Sequence, residues 1–532
     1  MSGALFRDRL QAILAVGAAI ALPGYYDMVF RYGEPFATPR LFAEAFVLFA
    51  LGFLIRSRTG WAFLMLAAAV PLHPLIALTG MAFSVIYLAV QRPLWWVVPG
   101  AGIVLAVILA LSGIPPFANL QVSFDRAWLD IVKLRDPLCF VTQWSLETYC
   151  RTLLAIALGT LAFVTGEKQS RRALATALAA GLGGILCTLI GSDFAHNVFV
   201  AQLQPWRAMW LLALLANLHL VTALRRLGRE PARLDVARLG VVNAAIPFVL
   251  SEFVPQFIQI AAPLMAISAG IGVWQLRTGW RLPAAIRAGA LLTFALGGAA
   301  TIVFCYGFKV LLEAWPDQFR SRIGACLLLV AALACMFALF RCRRRTGWYS
   351  RAVLPVTAIL FGLSLYGWDA RDAWARFVET PEPASASLAA LLPAGATVYW
   401  EGGTRLLWLR LRRPSYFSCS QGAGVVYFRD TAVEFERRAQ SFRLLRTLDF
   451  GGATRCPQFD STAGHGRSRS DLRQVCRREP TLDYLVLAWP VEGVDGKTWV
   501  APVALARPRE LAGRLVPFRT DRFYIYACAD LR

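Results

Sequence analysis

Apolar residues fall into thirteen runs along this chain, at 9–24, 40–55, 60–72, 74–90, 94–112, 146–164, 173–191, 207–224, 239–254, 257–276, 288–308, 323–340 and 352–367. Runs close to the ~20 residues of a perpendicular transmembrane helix predict membrane spans. The shorter ones are broken at His73-Pro74 and at Pro255, where a tight turn or a kink in a longer tilted helix would follow. From Asp369 the pattern changes. ETPEPASAS (Glu379–Ser387) reads as a linker. ATVYW, RLLWLRL, GVVYF, LDYLVLAWPV, WVAPVAL and RFYIYAC then read as short strands, and DTAVEFERRAQSFRLLRTL as an amphipathic helix. The predicted architecture is a polytopic α-helical membrane protein of about 13 spans over residues 1–368. A linker follows at 369–387, then a soluble α/β or α+β domain at 388–532.

Composition supports the membrane reading, with 57% hydrophobic residues. The formal charge of +22 would suit a nucleic-acid partner, but its distribution does not. Residues 369–532 carry a net +6, and the other +16 lies in the apolar part, mostly in short loops between runs. If each run crosses once, Arg7/Arg9, Arg56/Arg58, Arg92, Lys168/Arg171/Arg172, the cluster Arg225–Arg238, Arg277/Arg281/Arg287 and Arg341–Arg345 all fall on one side. Excess Arg and Lys mark the cytoplasmic side, so the alternation places the amino terminus inside and the last domain outside. No nucleic-acid partner is expected, and the bilayer is. Leu10–Leu22 follows Arg7 and Arg9 without a clear small-residue cleavage site, and reads as a retained signal anchor of a cytoplasmic-membrane protein.

Four outside segments result: Tyr25–Pro39, Gly113–Gln143, Ser192–Trp206 and Lys309–Arg322. The second is too long for a turn. Its Phe124, Trp128, Ile131 and Val132 follow helical spacing, which predicts an amphipathic helix lying on the outer membrane surface. On the oxidising side, Cys419, Cys456, Cys476 and Cys528 of the last domain allow three disulfide pairings. Cys139 and Cys150 are outside as well. No Cys/His spacing indicates zinc, and no metal site is assigned.

Candidate chemistry concentrates on the outer side. The stretch Ser192–Trp210, SDFAHNVFVAQLQPWRAMW, sets Asp193, His196, Asn197, Gln202, Gln204 and Arg207 between two spanning runs. Unpaired polar groups in lipid cost several kcal/mol, so this segment belongs at a surface or in a cavity. Pro205 starts the next helix, and Arg207 sits in its first turn. A planar guanidinium bonds a phosphate or carboxylate in pairs, although Arg207 and Trp206 could equally anchor a helix end at the headgroups. Asp193 and His196, three apart, would share a helix face if the stretch is helical. In the first outside segment Asp27 and Glu34 could act as general base or bind a divalent cation; the bland alternative is a solvated carboxylate paired to Arg31. His73, at a helix break, could bind phosphate, though a lone His is more often structural. Glu252 and Gln256 flank Pro255 on the same side. No P-loop, dinucleotide fingerprint, GxSxG or HExxH is present, which removes ATP-driven transport by this chain alone and the common hydrolase routes.

The phrases RYGEPFATPRLFAEA, LHPLIAL, QLQPWRAMWLL and LPAGATVYWEGGTRLLWLRLRRPSYFSCSQGAGVVYFR, with the arrangement of spans and outer loops, resemble the GT-C class of integral-membrane glycosyltransferases. The resemblance implies transfer of a sugar from a polyprenyl-phosphate lipid to an acceptor outside. It implies a catalytic acid in the first outside loop, which maps to Asp27, with Glu34 second. The paired acidic motif of the class is not present as neighbours. Arg207, with His73, Gln204, His196 and Asp193, would serve the donor phosphate. The cofactor is left open, with a divalent cation allowed, and so is the oligomeric state.

Two rivals share these features. A transporter or flippase of lipid-linked glycans would need mid-bilayer polar residues from two related halves. A non-enzymatic assembly subunit would use the outside domain to bind a partner.

Overall fold

In the computed structural model the described residues are 1–6, 38–229, 257–279, 373–380, 386–401, 403–445, 468–511 and 514–532, with isolated positions elsewhere. In chain order the helices are α1 (Ser2–Leu5), α2 (Pro39–Ile55), α3 (Thr59–Ala69), α4 (Pro74–Ala89), α5 (Val97–Leu111), α6 (Arg126–Arg135), α7 (Leu146–Thr165), α8 (Lys168–Thr188), α9 (Val198–Leu203), α10 (Met209–Arg229) and α11 (Ile258–Thr278). They continue with α12 (Ala373–Glu379), α13 (Ala386–Leu391), α14 (Arg429–Arg443) and α15 (Arg469–Arg478). Prolines begin several of these segments: Pro39 opens α2, Pro74 opens α4, and Pro93 opens a 3-10 turn leading into α5. At a first helical position the missing N–H has no intrahelical partner to lose.

The chain divides into two units. In the first, five described helices are long and apolar enough to cross a membrane: Pro93–Leu111, Leu146–Thr165, Lys168–Phe194, Val198–Leu220 and Ile258–Thr278. Among the described residues the expected thirteen spans are not reached. Runs 60–72 and 74–90 form helices of only 11 and 16 residues, separated at His73, and several later runs lie outside the described residues. Apolar run length overstates span number because it also counts short helices that pair end to end. Helix α5 exposes Ile103 (66%), Leu105 (56%) and Leu111 (73%), an apolar surface that suits lipid and not water. By contrast α7, α10 and α11 bury a common core including Leu158, Leu161, Ala216, Ala223, Ile258, Ala262 and Met265. Small residues among them bring the three helices close.

The second unit holds a four-stranded sheet, order β1-β2-β4-β3, from β1 (Val398–Trp400), β2 (Tyr484–Leu487), β3 (Lys497–Leu511) and β4 (Arg514–Ala527). β1 and β2 are parallel; β4 is antiparallel to both β2 and β3. The register between β3 and β4 shifts between Val500 and Leu505. Pro502 falls in that interval, where its missing N–H breaks the ladder. Side chains alternate along β1. Val398 and Trp400 join a core with Leu406, Leu407, Leu411 and Phe523, while Tyr399 stacks on Phe442 of α14 at 4.3 Å. Helices therefore cover both faces of a mixed sheet.

Two of the expected strands are not strands. RLLWLRL forms a π-helical turn, Leu406–Leu411, that buries Leu406, Leu407 and Leu411 and exposes Trp408 and Leu409. GVVYF forms turns ahead of α14. A short unbroken apolar run carries no period to separate strand from helix.

The expected surface helix also has a different partner. Residues 124–138 belong to the second unit. The apolar face of α6, Trp128, Leu129, Ile131 and Val132, is buried. Trp128 Nε1–H donates to the Val425 carbonyl at 2.7 Å, and Arg429 pairs with Asp125 at 2.6 Å. An amphipathic pattern specifies an apolar partner without saying whether it is lipid or protein.

Cys476 and Cys528 are disulfide-bonded, 52 residues apart. Cys150 carries a free, buried thiol, and Cys139 is buried.

Candidate functional site

The site is built on one face of α8. Gly184 lies so close to the following turn that a Cβ there would meet the Pro205 carbonyl oxygen at 2.2 Å; one at Gly181 would meet Met209 Sδ at 2.6 Å. One turn beyond Gly184, Thr188 Oγ1 accepts from the Trp206 N–H at 3.2 Å and donates to Gly184 O at 2.9 Å. Small residues one turn apart thus let the 3-10 turn ahead of α10 press against a membrane-length helix.

Past Thr188 the helix widens into a π-turn, Leu189–Phe194, and ends. His196 takes a left-handed φ of 51°. The chain restarts as α9, capped by the Asn197 side chain, which accepts from Val200 N at 3.1 Å. Asn197 Nδ2 donates to Leu120 O at 2.8 Å, and Asn119 Nδ2 donates to Gln202 Oε1 at 3.0 Å, so the stretch around Asn119 and Leu120 is stitched along α9. Gln204 then turns left-handed at φ 48°, and Pro205–Ala208 forms a 3-10 turn into α10.

Gln204 and Arg207 meet in that turn. Arg207 Nε donates to Gln204 Oε1 at 2.6 Å, and the guanidinium lies 4.9 Å from the Trp206 ring centroid. Trp206 is fully buried, and Trp144 meets it edge-on at 6.4 Å. A stacked, hydrogen-bonded guanidinium has a fixed plane, which is what paired bonding to an oxyanion requires.

His73 sits at the start of α4, a helix that packs on this turn, and Trp210 Nε1 donates to Thr79 Oγ1 of α4 at 2.8 Å. His73 is a helix cap: its Nδ1 accepts from Ile76 N at 3.3 Å. Asp193 faces elsewhere. Its oxygens accept from Val141 N at 2.8 Å and Thr142 N at 2.9 Å, and from the Thr142 hydroxyl, capping the 3-10 turn Val141–Gln143. Asp193 and His196 do not share a helix face, because the helix has ended and the chain has reversed its twist between them. Asp27, Glu34, Glu252 and Gln256 lie outside the described residues.

Two ion pairs among the described residues of the first unit were not anticipated. Arg40 and Glu44 pair at 2.9 Å within α2, both buried; Arg151 and Glu147 pair at 2.8 Å in the first turns of α7, with Arg151 buried. Their signal in the sequence is opposite charges four apart at the start of an apolar run, the spacing at which helical side chains meet. Charge inside such a unit is costly and marks function by default. Among the described residues no three His, Cys, Asp or Glu side chains converge as a metal site would need.

Compared with protein-family models, with curated proteins and with solved structures, the chain finds no match in any of the three.

Proposed function

We propose that this chain is a multi-pass glycosyltransferase of the cytoplasmic membrane, taking sugar from a polyprenyl-phosphate donor at the outer face. The amino terminus is inside and the second unit outside. The observation that carries the reading is the Gln204–Trp206–Arg207 turn: a guanidinium of fixed plane just ahead of α10, inside the apolar membrane-length stretch Val198–Leu220. In transfer the donor phosphate is the leaving group, and a cation set against it stabilises the charge that develops there. His73, on the helix packed against this turn, is the second donor-side group. Asp27, with Glu34 as the alternate, takes the proton of the acceptor hydroxyl as it attacks. Asp193 is left out of phosphate binding, since its carboxylate would repel the anion and caps a backbone turn instead. A disulfide in the second unit supports the outside location, because such bonds persist in oxidising compartments.

The test uses purified protein in liposomes, a labelled polyprenyl-phosphate sugar and candidate acceptors. Label appearing on the acceptor supports transfer. Movement of the lipid across the bilayer without transfer favours a flippase, and neither outcome favours an assembly subunit.

A further inference from the structure

Two sets of arginines in the second unit have opposite surroundings. On α14, Arg437 bonds Glu434 at 2.7 Å and Glu479 at 2.9 Å, and Arg438 bonds Glu434 at 2.7 Å. On α15, the helix RSDLRQVCRR buries Leu472, Val475 and Cys476 and turns Arg473, Gln474, Arg477 and Arg478 outward. Ser470, Arg473, Gln474, Arg477 and Arg478 line a shallow hollow of about 360 Å³ with no acidic residue among them. Asp471, the acid of this helix, is spent on its capping box with Ser468.

We propose that this hollow binds a sugar-sized ligand carrying a phosphate or carboxylate. Like charges four apart on a helix destabilise it, so Arg473 and Arg477 together cost stability that an oxyanion between them returns. Helix-dipole compensation accounts for basic residues in the last turn, Arg477 and Arg478, but not for Arg473. Two of the guanidiniums are also pre-positioned. Arg473 Nε donates to Leu531 O at 3.2 Å, and Arg477 donates through Nε and Nη2 to the backbone oxygen of Arg532 at 3.3 and 3.2 Å. Arg532 is itself held by the Cys476 and Leu482 carbonyls at 3.0 and 2.7 Å, and the Cys476–Cys528 disulfide fixes this segment to α15. Of the Arg473 guanidinium only Nε takes part in these bonds, and Arg478 has no bonded partner among the described residues. Ser470 and Gln474 add hydroxyl and amide groups suited to sugar hydroxyls. The site is independent of the transfer reaction proposed above.

The test is calorimetric titration of the full chain in detergent with glucose 6-phosphate, glucuronic acid and glucose. Binding of both anionic sugars, weakened by added salt, with no binding of glucose, is the expected result. Arg473→Gln should weaken it by about tenfold, the loss of one charge-assisted bond. Arg478→Gln, which disturbs no internal bond, should do the same and guards against misfolding of the first variant. Equal binding of glucose, binding unchanged in Arg478→Gln, or no binding of either anionic sugar would each overturn the proposal.

Discussion

A β-carbon on Gly184 would lie 2.2 Å from the carbonyl oxygen of Pro205, closer than two such atoms can approach. At Gly183, one residue earlier, the same atom would meet nothing within 4 Å. Gly184→Ala should therefore displace the turn that carries Gln204 and Arg207, at a cost of about 1–3 kcal/mol as for other overpacked sites. Gly183→Ala should be neutral or slightly stabilising, since alanine is the better helix former. Hydrogen exchange of residues 198–210 in detergent reads both. Faster exchange is expected for Gly184→Ala alone.

The two carboxylates that hold Arg437 should contribute unequally. Glu479 is fully buried and accepts from Tyr416 Oη at 2.5 Å and from two Arg437 nitrogens at 2.9 and 3.0 Å. Glu434 is nearly half exposed, so water screens its pair. Glu479→Gln should cost about 1–3 kcal/mol by leaving buried donors poorly matched, and Glu434→Gln a few tenths. Chemical denaturation followed by exchange in α14 peptides measures both.

Acid should loosen the same region. Hydrogen bonding from Arg437 holds the Glu434 carboxyl at about 2, below its ordinary 4.5. Burial pushes Glu479 up, but hydrogen bonds from Arg437, Ser441 and Tyr416 together hold it below the usual range. A depressed carboxyl stabilises the fold above its unfolded pKa and loses that contribution as pH falls through the folded value. For Glu434 the loss begins near 4.5 and is complete only near 2. Protection of α14 against exchange should decline across that window and be flat from pH 6 to 8. In Glu434→Gln protein the decline should be shallower.

Reduction should weaken the second unit. Removing a native disulfide typically costs ~2–5 kcal/mol. Cys528→Ser should raise exchange in α15 and in the final residues, with the helices of the first unit unchanged. Mass spectrometry showing free thiols at Cys476 and Cys528 in protein from native membranes would contradict the pairing.

What could be read from the sequence follows from which patterns have a single physical solution. VYW, LDYLVL and RFYIYAC became strands, and DTAVEFERRAQSFR became α14, because alternation and helical spacing each bury one face only. RLLWLRL has no alternation, and its π-turn depends on which leucines the sheet leaves room for. The helix at Arg469–Arg478 escaped notice for the opposite reason, its buried face being just Leu472, Val475 and Cys476 amid charge. At the site, Pro205 and Arg207 gave a local signal that the geometry fills in with Gln204 and Trp206. Asp193 could not be read, because its partners Val141 and Thr142 lie some fifty positions away and offer only backbone N–H groups.

The most direct test of the account is the donor dependence of sugar transfer in Arg207→Lys protein, beside wild type and Asp27→Asn. Lysine keeps the charge and loses the planar fork, so KM for the polyprenyl-phosphate donor should rise by about tenfold with a smaller change in kcat. Asp27→Asn removes the base and should lower kcat while donor binding survives. Correct insertion is checked for each variant by protease accessibility. A wild-type KM in well-folded Arg207→Lys protein would contradict the assignment of the donor phosphate to this turn.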